Sequence, residues 1–251
     1  MFLRRTLRRL LPRSVALQIR RAWLGRRIAG GKGHFEDDVP LLETYVNSTD
    51  ICWDIGANNG TYTLHLSKLA RKVLAFEPVP HSAAILQDVK RLASLDNVVV
   101  SGVALSDRVG RAKMTVPVDG FYGGFYLARL DGAGELDVEL STVDALIASG
   151  VPEPDFIKCD VEGAESNVIA GARELIARRH PIWLLETFDD DVVTLLRSLG
   201  YDAFVRDEHN RLVEVLVRVH ERNYWFFPPG STRSPAAVKP GAPSTGPDVR
   251  A

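Results

Sequence analysis

The chain contains 251 residues, of which 45% are hydrophobic and 25% charged, and its formal net charge is −1. This composition is typical of a globular chain that buries about 70% of its unfolded surface, and it excludes wholesale disorder and a collagen-like repeat. No uninterrupted apolar stretch approaches the roughly 18 residues of a membrane-spanning helix, so an integral membrane protein is not expected. Two cysteines, Cys52 and Cys159, cannot form a disulfide scaffold or a four-cysteine zinc site. Both lie in apolar runs, which predicts buried thiols in a reducing compartment.

The N-terminal segment, residues 1–33, is strongly basic. Nine arginines and Lys32, with no acidic residue, give it a charge of +10, so the rest of the chain carries −11. Helical periodicity predicts a basic amphipathic helix, and a second helix after Pro12 with an apolar face formed by Val15, Ile19, Ala22 and Trp23. Such a helix suits an anionic bilayer surface. Packing on its own domain, binding to a partner protein and organellar targeting are the open alternatives.

From residue 36 onward, strand-like and helix-like segments alternate. The predicted strands cover 50–55, 72–76, 97–103, 156–160, 182–185, 201–205 and 211–217; the predicted helices cover 61–69 and 80–92, one continuous helix that includes 168–176, and one that begins near 189–191. Fully apolar strands that alternate with helices indicate a parallel sheet covered on both faces. The sequence therefore predicts a doubly wound α/β fold, mostly parallel with an antiparallel last strand, whose ligand lies at the carboxyl ends of the strands.

Two segments depart from this alternation. Strand-like runs at 112–116 and 135–140 flank a segment rich in glycine and aromatic residues, which is either a loop over the site or an ordinary surface excursion. Residues 231–251 are rich in Pro, Ala, Ser and Gly and cannot bury enough apolar surface to order themselves. The predicted organisation is thus an N-terminal extension at 1–33, a globular domain at 34–230 and a disordered tail at 231–251.

The strongest motif is CWDIGANNGTYTLHL at 52–66. A strand delivers Asp54, and a loop that contains Gly56, Asn58 and Gly60 leads into a helix, so that backbone N–H groups approach a ligand closely. The D-x-G-x-x-x-G spacing differs from the dinucleotide fingerprint G-x-G-x-x-G. A carboxylate at the strand end would repel a pyrophosphate but suits an ammonium or sulfonium group. The motif therefore disfavours a nicotinamide-dependent oxidoreductase and favours a cofactor that carries an amino acid.

A second acid, Glu77, ends the next predicted strand about 20 residues after the glycine loop, where a carboxylate can accept both hydroxyls of a ribose. Together, the loop and the ribose acid predict binding of S-adenosyl-L-methionine, with Asp54, Gly56, Asn58, Gly60 and Glu77 as cofactor-binding residues.

Candidate catalytic residues lie in DFIKCDVEGAE at 155–165. Methylation of an alcohol needs a base, because a neutral hydroxyl is a poor nucleophile. Asp160 is the first candidate for this base and Glu162 the second, while Lys158 shares a strand face with Asp160 and Glu186 ends the following strand. The alternative is structural: Glu162 can cap a helix and Lys158 can pair with an acid. Because the Asp/Asn-Pro-Pro-aromatic turn of nitrogen-methylating enzymes is absent here, oxygen is the expected acceptor atom.

These motifs, together with FEP at 76–78, VALSDRVG at 103–110 and STVDAL at 141–146, resemble the FkbM-type methyltransferase family over residues 50–190. The resemblance implies a class I Rossmann-like methyltransferase domain that uses S-adenosyl-L-methionine to methylate a hydroxyl of a sugar, a glycan or a secondary metabolite. It also implies that Ala104 or Leu105 lies beside the adenine.

The functional hypothesis is therefore an O-methyltransferase whose acceptor lies between the 118–134 loop and the ends of the fourth and fifth strands. No required metal and no sequence-specific nucleic acid are expected. The expected location is cytoplasmic, with contact at the inner face of the membrane through residues 1–27 left open. The alternative is a membrane- or nucleic-acid-tethered, methyltransferase-like binding module without turnover.

Overall fold

The computed structural model describes residues 13–31, 37–116, 134–187, 189–215 and 223–235. The first predicted amphipathic helix, all but the last residue of the 118–134 loop and residues 236–251 of the predicted tail lie outside the described residues.

Nineteen helices and strands are assigned within the described ranges. The helices are α1 (Arg13–Ala29), α2 (Val39–Tyr45), α3 (Thr61–Leu69), α4 (Pro80–Leu92), α5 (Val143–Ala148), α6 (Glu165–Ala170), α7 (Arg173–Arg178) and α8 (Asp190–Ser198). The strands are β1 (Ile51–Ile55), β2 (Lys72–Phe76), β3 (Val98–Ser101), β4 (Ala104–Leu105), β5 (Gly110–Met114), β6 (Leu136–Ser141), β7 (Phe156–Cys159), β8 (Ile182–Glu186), β9 (Asp202–Arg206), β10 (Leu212–Glu214) and β11 (Asn223–Phe227).

The main sheet has eight strands in the order β10-β9-β11-β8-β7-β1-β2-β3. The strands from β8 to β3 are mutually parallel, whereas β11 runs antiparallel to both β8 and β9. The predicted mostly parallel sheet with an antiparallel last strand is confirmed, and β7, which precedes the candidate catalytic residue Asp160, lies beside β1. The predicted strand series lacked β11, which is inserted between β8 and β9 and whose last four residues are buried.

Both faces of the sheet are covered, which explains why its central strands are apolar throughout. One hydrophobic cluster joins the sheet to α2, α3 and α4, and a second joins it to α6, α7 and α8. Three tryptophans, Trp53, Trp183 and Trp225, are fully buried in these clusters. Burial of aromatic side chains of this size provides much of the apolar free energy of such a domain.

The prediction of one continuous helix across residues 168–176 is wrong, because the helix is interrupted near Gly171 and two short helices, α6 and α7, form instead. The Cβ atom of any other residue at Gly171 would lie 2.1 Å from the backbone oxygen of Ser106. The second helix, α7, begins separately, and the Asp144 carboxylate accepts hydrogen bonds from the N–H groups of Glu174 and Leu175, each at 2.9 Å. Close packing and a side-chain cap therefore replace helical continuity.

The two strand-like runs around residues 111–140 pair as β5 and β6 in a separate antiparallel ladder. The third main strand is shorter than predicted, since β3 ends at Ser101. After two residues outside any strand, Ala104 and Leu105 form β4, which pairs with β6. This three-stranded sheet has the order β4-β6-β5. It places β4 and the end of β5 at the edge of the cleft described below.

The basic helix α1 packs on α4, which confirms the self-packing alternative for this part of the N-terminal segment. Ile28 is buried in the core, and Arg21 Nε donates to Asp88 Oδ2 at 2.6 Å. The face predicted to be the apolar one is not the packed face, because Ile19 and Trp23 are 56% and 57% exposed. No helix in the described part of the chain is long and apolar enough to span a bilayer.

The packed chain extends past the domain boundary predicted at residue 230. Arg233 Nη1 donates to the buried Asp50 carboxylate at 2.5 Å and to the Tyr45 carbonyl at 3.0 Å. This buried acid gives residues 231–235 a fixed position that their own composition could not provide, so the domain extends at least to Arg233.

Candidate active site

A cleft opens at the carboxyl ends of the central parallel strands. It lies between the loops that follow β1, β2 and β7, and the small sheet closes one side. Fifteen residues line it: Ile55, Gly56, Asn58, Phe76, Glu77, Pro78, Val79, Val103, Ala104, Leu105, Met114, Asp160, Val161, Glu162 and Ala164. This is where a doubly wound sheet binds its ligand.

The glycine loop is fixed to both neighbouring strands. The N–H groups of Gly56 and Ala57 both donate to the Phe76 carbonyl at 3.0 Å, and the Asp160 N–H donates to the Ile55 carbonyl at 2.9 Å. Gly56 has φ +80°, and a Cβ atom there would lie only 1.8 Å from the backbone oxygen of Asp160. Only glycine fits this conformation and this contact. The loops after β1 and β7 therefore pack directly against each other.

Glu77 is buried at the end of β2 and accepts two backbone hydrogen bonds. Its Oε2 accepts from the Asn58 N–H at 2.8 Å and its Oε1 from the Val79 N–H at 2.7 Å. Burial raises the pKa of the Glu77 carboxyl to about 7, and this effect outweighs the two N–H donors, which lower it. The carboxyl is thus held in place and poised to change its ionisation near neutral pH.

Asn58 offers a second polar group to the same cleft. Its φ of +48° places it in the left-handed region, which asparagine tolerates better than most residues. Its side-chain Oδ1 is buried without a hydrogen-bond donor among the described residues. A buried acceptor in a ligand cleft that lacks a donor fits a ligand that supplies one.

Other residues that line the cleft are apolar. Ala104 and Leu105 are buried and line the cleft together with Val79, Val103 and Met114. A flat, apolar base would be buried favourably against such residues. That Ala104 or Leu105 lies beside an adenine stays a prediction.

Asp54 and Gly60 do not line the cleft. Asp54 is 1% exposed, and its Oδ2 accepts from Thr63 Oγ1 at 2.5 Å. Gly60 has φ +89° just before α3, and a Cβ atom there would lie 2.5 Å from Leu86 Cδ1. Both residues therefore support the glycine loop and the start of α3 through contacts outside the cleft. Their predicted direct contact with the cofactor stays a prediction.

The structure brings Lys158, Asp160 and Glu186 together at the ends of β7 and β8. Lys158 is 1% exposed, and its Nζ lies 3.5 Å from Asp160 Oδ2 and 4.0 Å from Glu186 Oε2. The same ammonium lies 4.9 Å from the centroid of the Tyr62 ring. A buried ammonium next to two carboxylates offsets their mutual repulsion. Asp160, which lines the cleft, can therefore face a ligand directly.

The two glutamates that follow β7, Glu162 in the turn and Glu165 at the start of α6, have different roles. Glu162 lines the cleft with φ +55°. Glu165 is buried, and its Oε1 accepts from the N–H groups of Val161 and Gly163, each at 3.1 Å. Burial raises the pKa of Glu165, although these N–H groups oppose the rise. Glu165 thus shapes the turn that positions Asp160 and Glu162.

Among the described residues, no group of three or more His, Cys, Asp or Glu side chains converges as a metal site would require. That no metal is needed stays a prediction.

Sequence reasoning missed Tyr62, Val79 and Met114. Tyr62 follows the glycine loop by two residues, so its place in the first turn of α3 could have indicated it. Val79 contributes a backbone N–H, which no side-chain pattern reveals. Met114 reaches the cleft only because β5 belongs to the small sheet.

Residues 54–203 match the family model described as the methyltransferase FkbM domain. Hexuronic acid methyltransferase AglP of Haloferax volcanii is 29% identical to this chain over 140 residues, which is 54% of this chain and 55% of the relative. The 31-O-demethyl-FK506 methyltransferase FkbM of Streptomyces tacrolimicus is 30% identical, over 63% of this chain and 75% of the relative. The chain thus spans just over half the length of the Haloferax relative.

The crystal structure of a methyltransferase FkbM from Methylobacillus flagellatus has the same fold. It aligns with a TM-score of 0.51 at 16% identity, over 83% of this chain and 59% of that one. The family match covers more than half of this chain and includes Glu77 and Asp160. The chain belongs to the FkbM methyltransferase family.

Proposed function

We propose that the protein is an S-adenosyl-L-methionine-dependent O-methyltransferase that acts on a hydroxyl of a sugar, a glycan or a secondary metabolite. The observation that carries this proposal is a cleft lined both by Glu77 and Asn58 and by Asp160. Behind Asp160, the buried Lys158 ammonium lies near the Asp160 and Glu186 carboxylates.

Glu77, Asn58 and the apolar lining of the cleft fit the cofactor. The Glu77 carboxylate would accept the ribose hydroxyls, Asn58 Oδ1 would accept a further donor, and the apolar wall at Ala104 and Leu105 would cover the adenine. Bound there, S-adenosyl-L-methionine would supply an electrophilic methyl group on a sulfonium. The fit rests on a buried acceptor and a buried carboxylate that already face the cleft.

Asp160 fits a role in proton removal from an alcohol. Asp160 would accept the proton of the acceptor hydroxyl. General-base catalysis of this kind typically raises the rate by about 10²–10⁴-fold. Lys158 would hold the Asp160 and Glu186 carboxylates in position through its ammonium group. Glu162 lines the same cleft and is the second candidate for the base.

The names of the relatives support an oxygen acceptor on a sugar or a secondary metabolite. One relative is named for a hexuronic acid, one for the 31-O position of an FK506 derivative, and a third, NoeI of Sinorhizobium fredii, as a 2-O-methyltransferase.

Cys52 and Cys159 are buried free thiols. This supports the proposal of a reducing compartment such as the cytoplasm.

The test measures turnover of S-adenosyl-L-methionine with a panel of sugars, glycans and polyketides, and compares the Asp160→Asn and Glu77→Gln variants. Asp160→Asn should lower kcat by about 10²–10³-fold and leave the affinity for S-adenosyl-L-homocysteine within about three-fold. Glu77→Gln should weaken that affinity instead. The exposed Asp137→Asn serves as the matched control.

Two results contradict the proposal. Unchanged kcat in Asp160→Asn removes Asp160 as the base. Nucleoside binding with no turnover of any acceptor favours the binding-module alternative.

A further inference from the structure

The outer face of α1 presents an apolar pair to solvent. Ile19 and Trp23, one helical turn apart, are 56% and 57% exposed. Arg26 and Arg27 are exposed on the following turn, and the Arg27 guanidinium lies 5.3 Å from the centroid of the Trp23 ring. We refer to Ile19, Trp23, Arg26 and Arg27 as the α1 outer face.

The opposite side of α1 is already used for packing. Ile28 is buried in the core and Leu24 packs against it, while Arg21 is paired with Asp88 on α4. The helix is therefore anchored, so its outer face has a fixed orientation. Ile19 and Trp23 contribute nothing to the core that would account for apolar side chains at these positions.

The charge of this region favours an anionic surface. The helix α1 contains five arginines and no acidic residue, and the sequence that leads into it adds four more arginines before the first acid at Glu36. Each basic residue near an anionic membrane strengthens binding about five-fold. Tryptophan prefers the headgroup region, where its apolar ring and polar N–H are both accommodated.

We propose that the α1 outer face docks the domain on an anionic lipid bilayer, with Ile19 and Trp23 inserted at the headgroup level and Arg26 and Arg27 on lipid phosphates. A nucleic acid would attract the same arginines, but its phosphates offer nothing to an exposed isoleucine. An apolar pair with basic neighbours binds a bilayer interface both by inserting apolar side chains and by attraction to anionic lipids.

Trp23 itself reports on the test. The other three tryptophans are fully buried, so a shift in tryptophan emission on binding arises from Trp23. The full-length protein is titrated with vesicles of phosphatidylcholine alone and with vesicles that contain about 30% phosphatidylserine. We expect a blue shift and co-sedimentation with the anionic vesicles at physiological salt, at least about ten-fold stronger than with neutral vesicles.

Paired variants separate insertion from simple charge attraction. Ile19→Gln/Trp23→Gln and Arg26→Gln/Arg27→Gln should each weaken vesicle binding by about ten-fold or more. Both should leave the melting temperature and S-adenosyl-L-homocysteine binding unchanged, which shows that the domain is intact. The double variant Arg71→Gln/Arg111→Gln, at exposed arginines of other elements, is the matched control and should bind vesicles like the wild type.

Three results would overturn the proposal: no binding to anionic vesicles, binding that is unaffected by Ile19→Gln/Trp23→Gln, or tighter binding to an RNA or DNA duplex than to the vesicles. The last of these would assign the surface to a nucleic acid.

Discussion

Nucleoside binding should depend on pH through Glu77. In the free protein, burial raises the pKa of this carboxyl from about 4.5 to about 7. Ribose hydroxyls that donate to the carboxylate favour its ionised form and lower its pKa in the complex. Binding below neutral pH must therefore release a proton, and affinity falls as the solution becomes more acidic.

The size of the change in affinity follows from the change in the pKa of Glu77 on binding. If the ribose lowers the pKa of Glu77 to its ordinary range, the dissociation constant at about pH 6 should be roughly ten-fold higher than at about pH 8, a difference of about 1.4 kcal/mol. Stability of the nucleoside-free protein changes in the opposite sense. The raised pKa of Glu77 contributes stability below about pH 4.5, and this contribution is lost as the pH rises through about 7.

Calorimetric titration with S-adenosyl-L-homocysteine between about pH 5.5 and 8.5, in two buffers of different ionisation enthalpy, measures both affinity and proton release. Adenosine, which carries the ribose hydroxyls without the amino acid, controls for titration of the ligand. Glu77→Gln should bind more weakly at high pH and lose the pH dependence. A flat profile for the wild type, or an equal slope in Glu77→Gln, would refute the assignment.

Three substitutions test the packing of the domain by urea unfolding. Gly56→Ala should lower the free energy of unfolding by about 2–4 kcal/mol, because the new Cβ atom meets a carbonyl oxygen at 1.8 Å in a left-handed conformation. Asp38→Ala should cost about 2–4 kcal/mol, since the carboxylate accepts from the Trp225 indole at 2.7 Å and from the Asn223 amide at 2.8 Å. Arg233→Gln should cost about 1–3 kcal/mol, because its buried carboxylate partner loses a charged donor.

Matched controls exist for two of these substitutions. Gly102→Ala adds a Cβ atom in open space and should be nearly neutral. Asp37→Ala removes a mostly exposed acid next to Asp38 and should change stability by less than about 1 kcal/mol. If a control costs as much as its test variant, the proposed contact is not the cause. An unfolding midpoint unchanged in Arg233→Gln contradicts the fixed position of residues 231–235.

Local sequence patterns predicted the elements next to the glycine loop and Glu77. The helix α3 has the predicted bounds because a glycine loop fixes its start, and the strand-end position of Glu77 follows from its place in the motif. The break near Gly171 could not be predicted, since it depends on a contact with Ser106 that is distant in sequence. The strand β11 was missed although its aromatic residues favour a strand; only its place between β8 and β9 could not be predicted, because that depends on tertiary pairing.

The same distinction applies to individual site residues. Lys158 and Asp160 share one side of β7 by simple alternation, so their proximity was predictable. Asp54 has the expected strand position, but its burial behind the loop depends on Thr63 and the packing of α3. The exposed side of α1 was misassigned because periodicity shows which residues share a face and not which face meets α4.

The contact between Gly56 and the Asp160 backbone has a consequence for protein engineering. Libraries that reshape the turn after β7 will also displace the glycine loop after β1, because the two segments are in direct contact at Gly56 and Asp160. Selections for altered specificity should therefore recover few variants at Asp160 and its immediate neighbours. Diversity will be tolerated better at positions that border the cleft from the small sheet, such as Met114, where the supporting strands are independent of that junction.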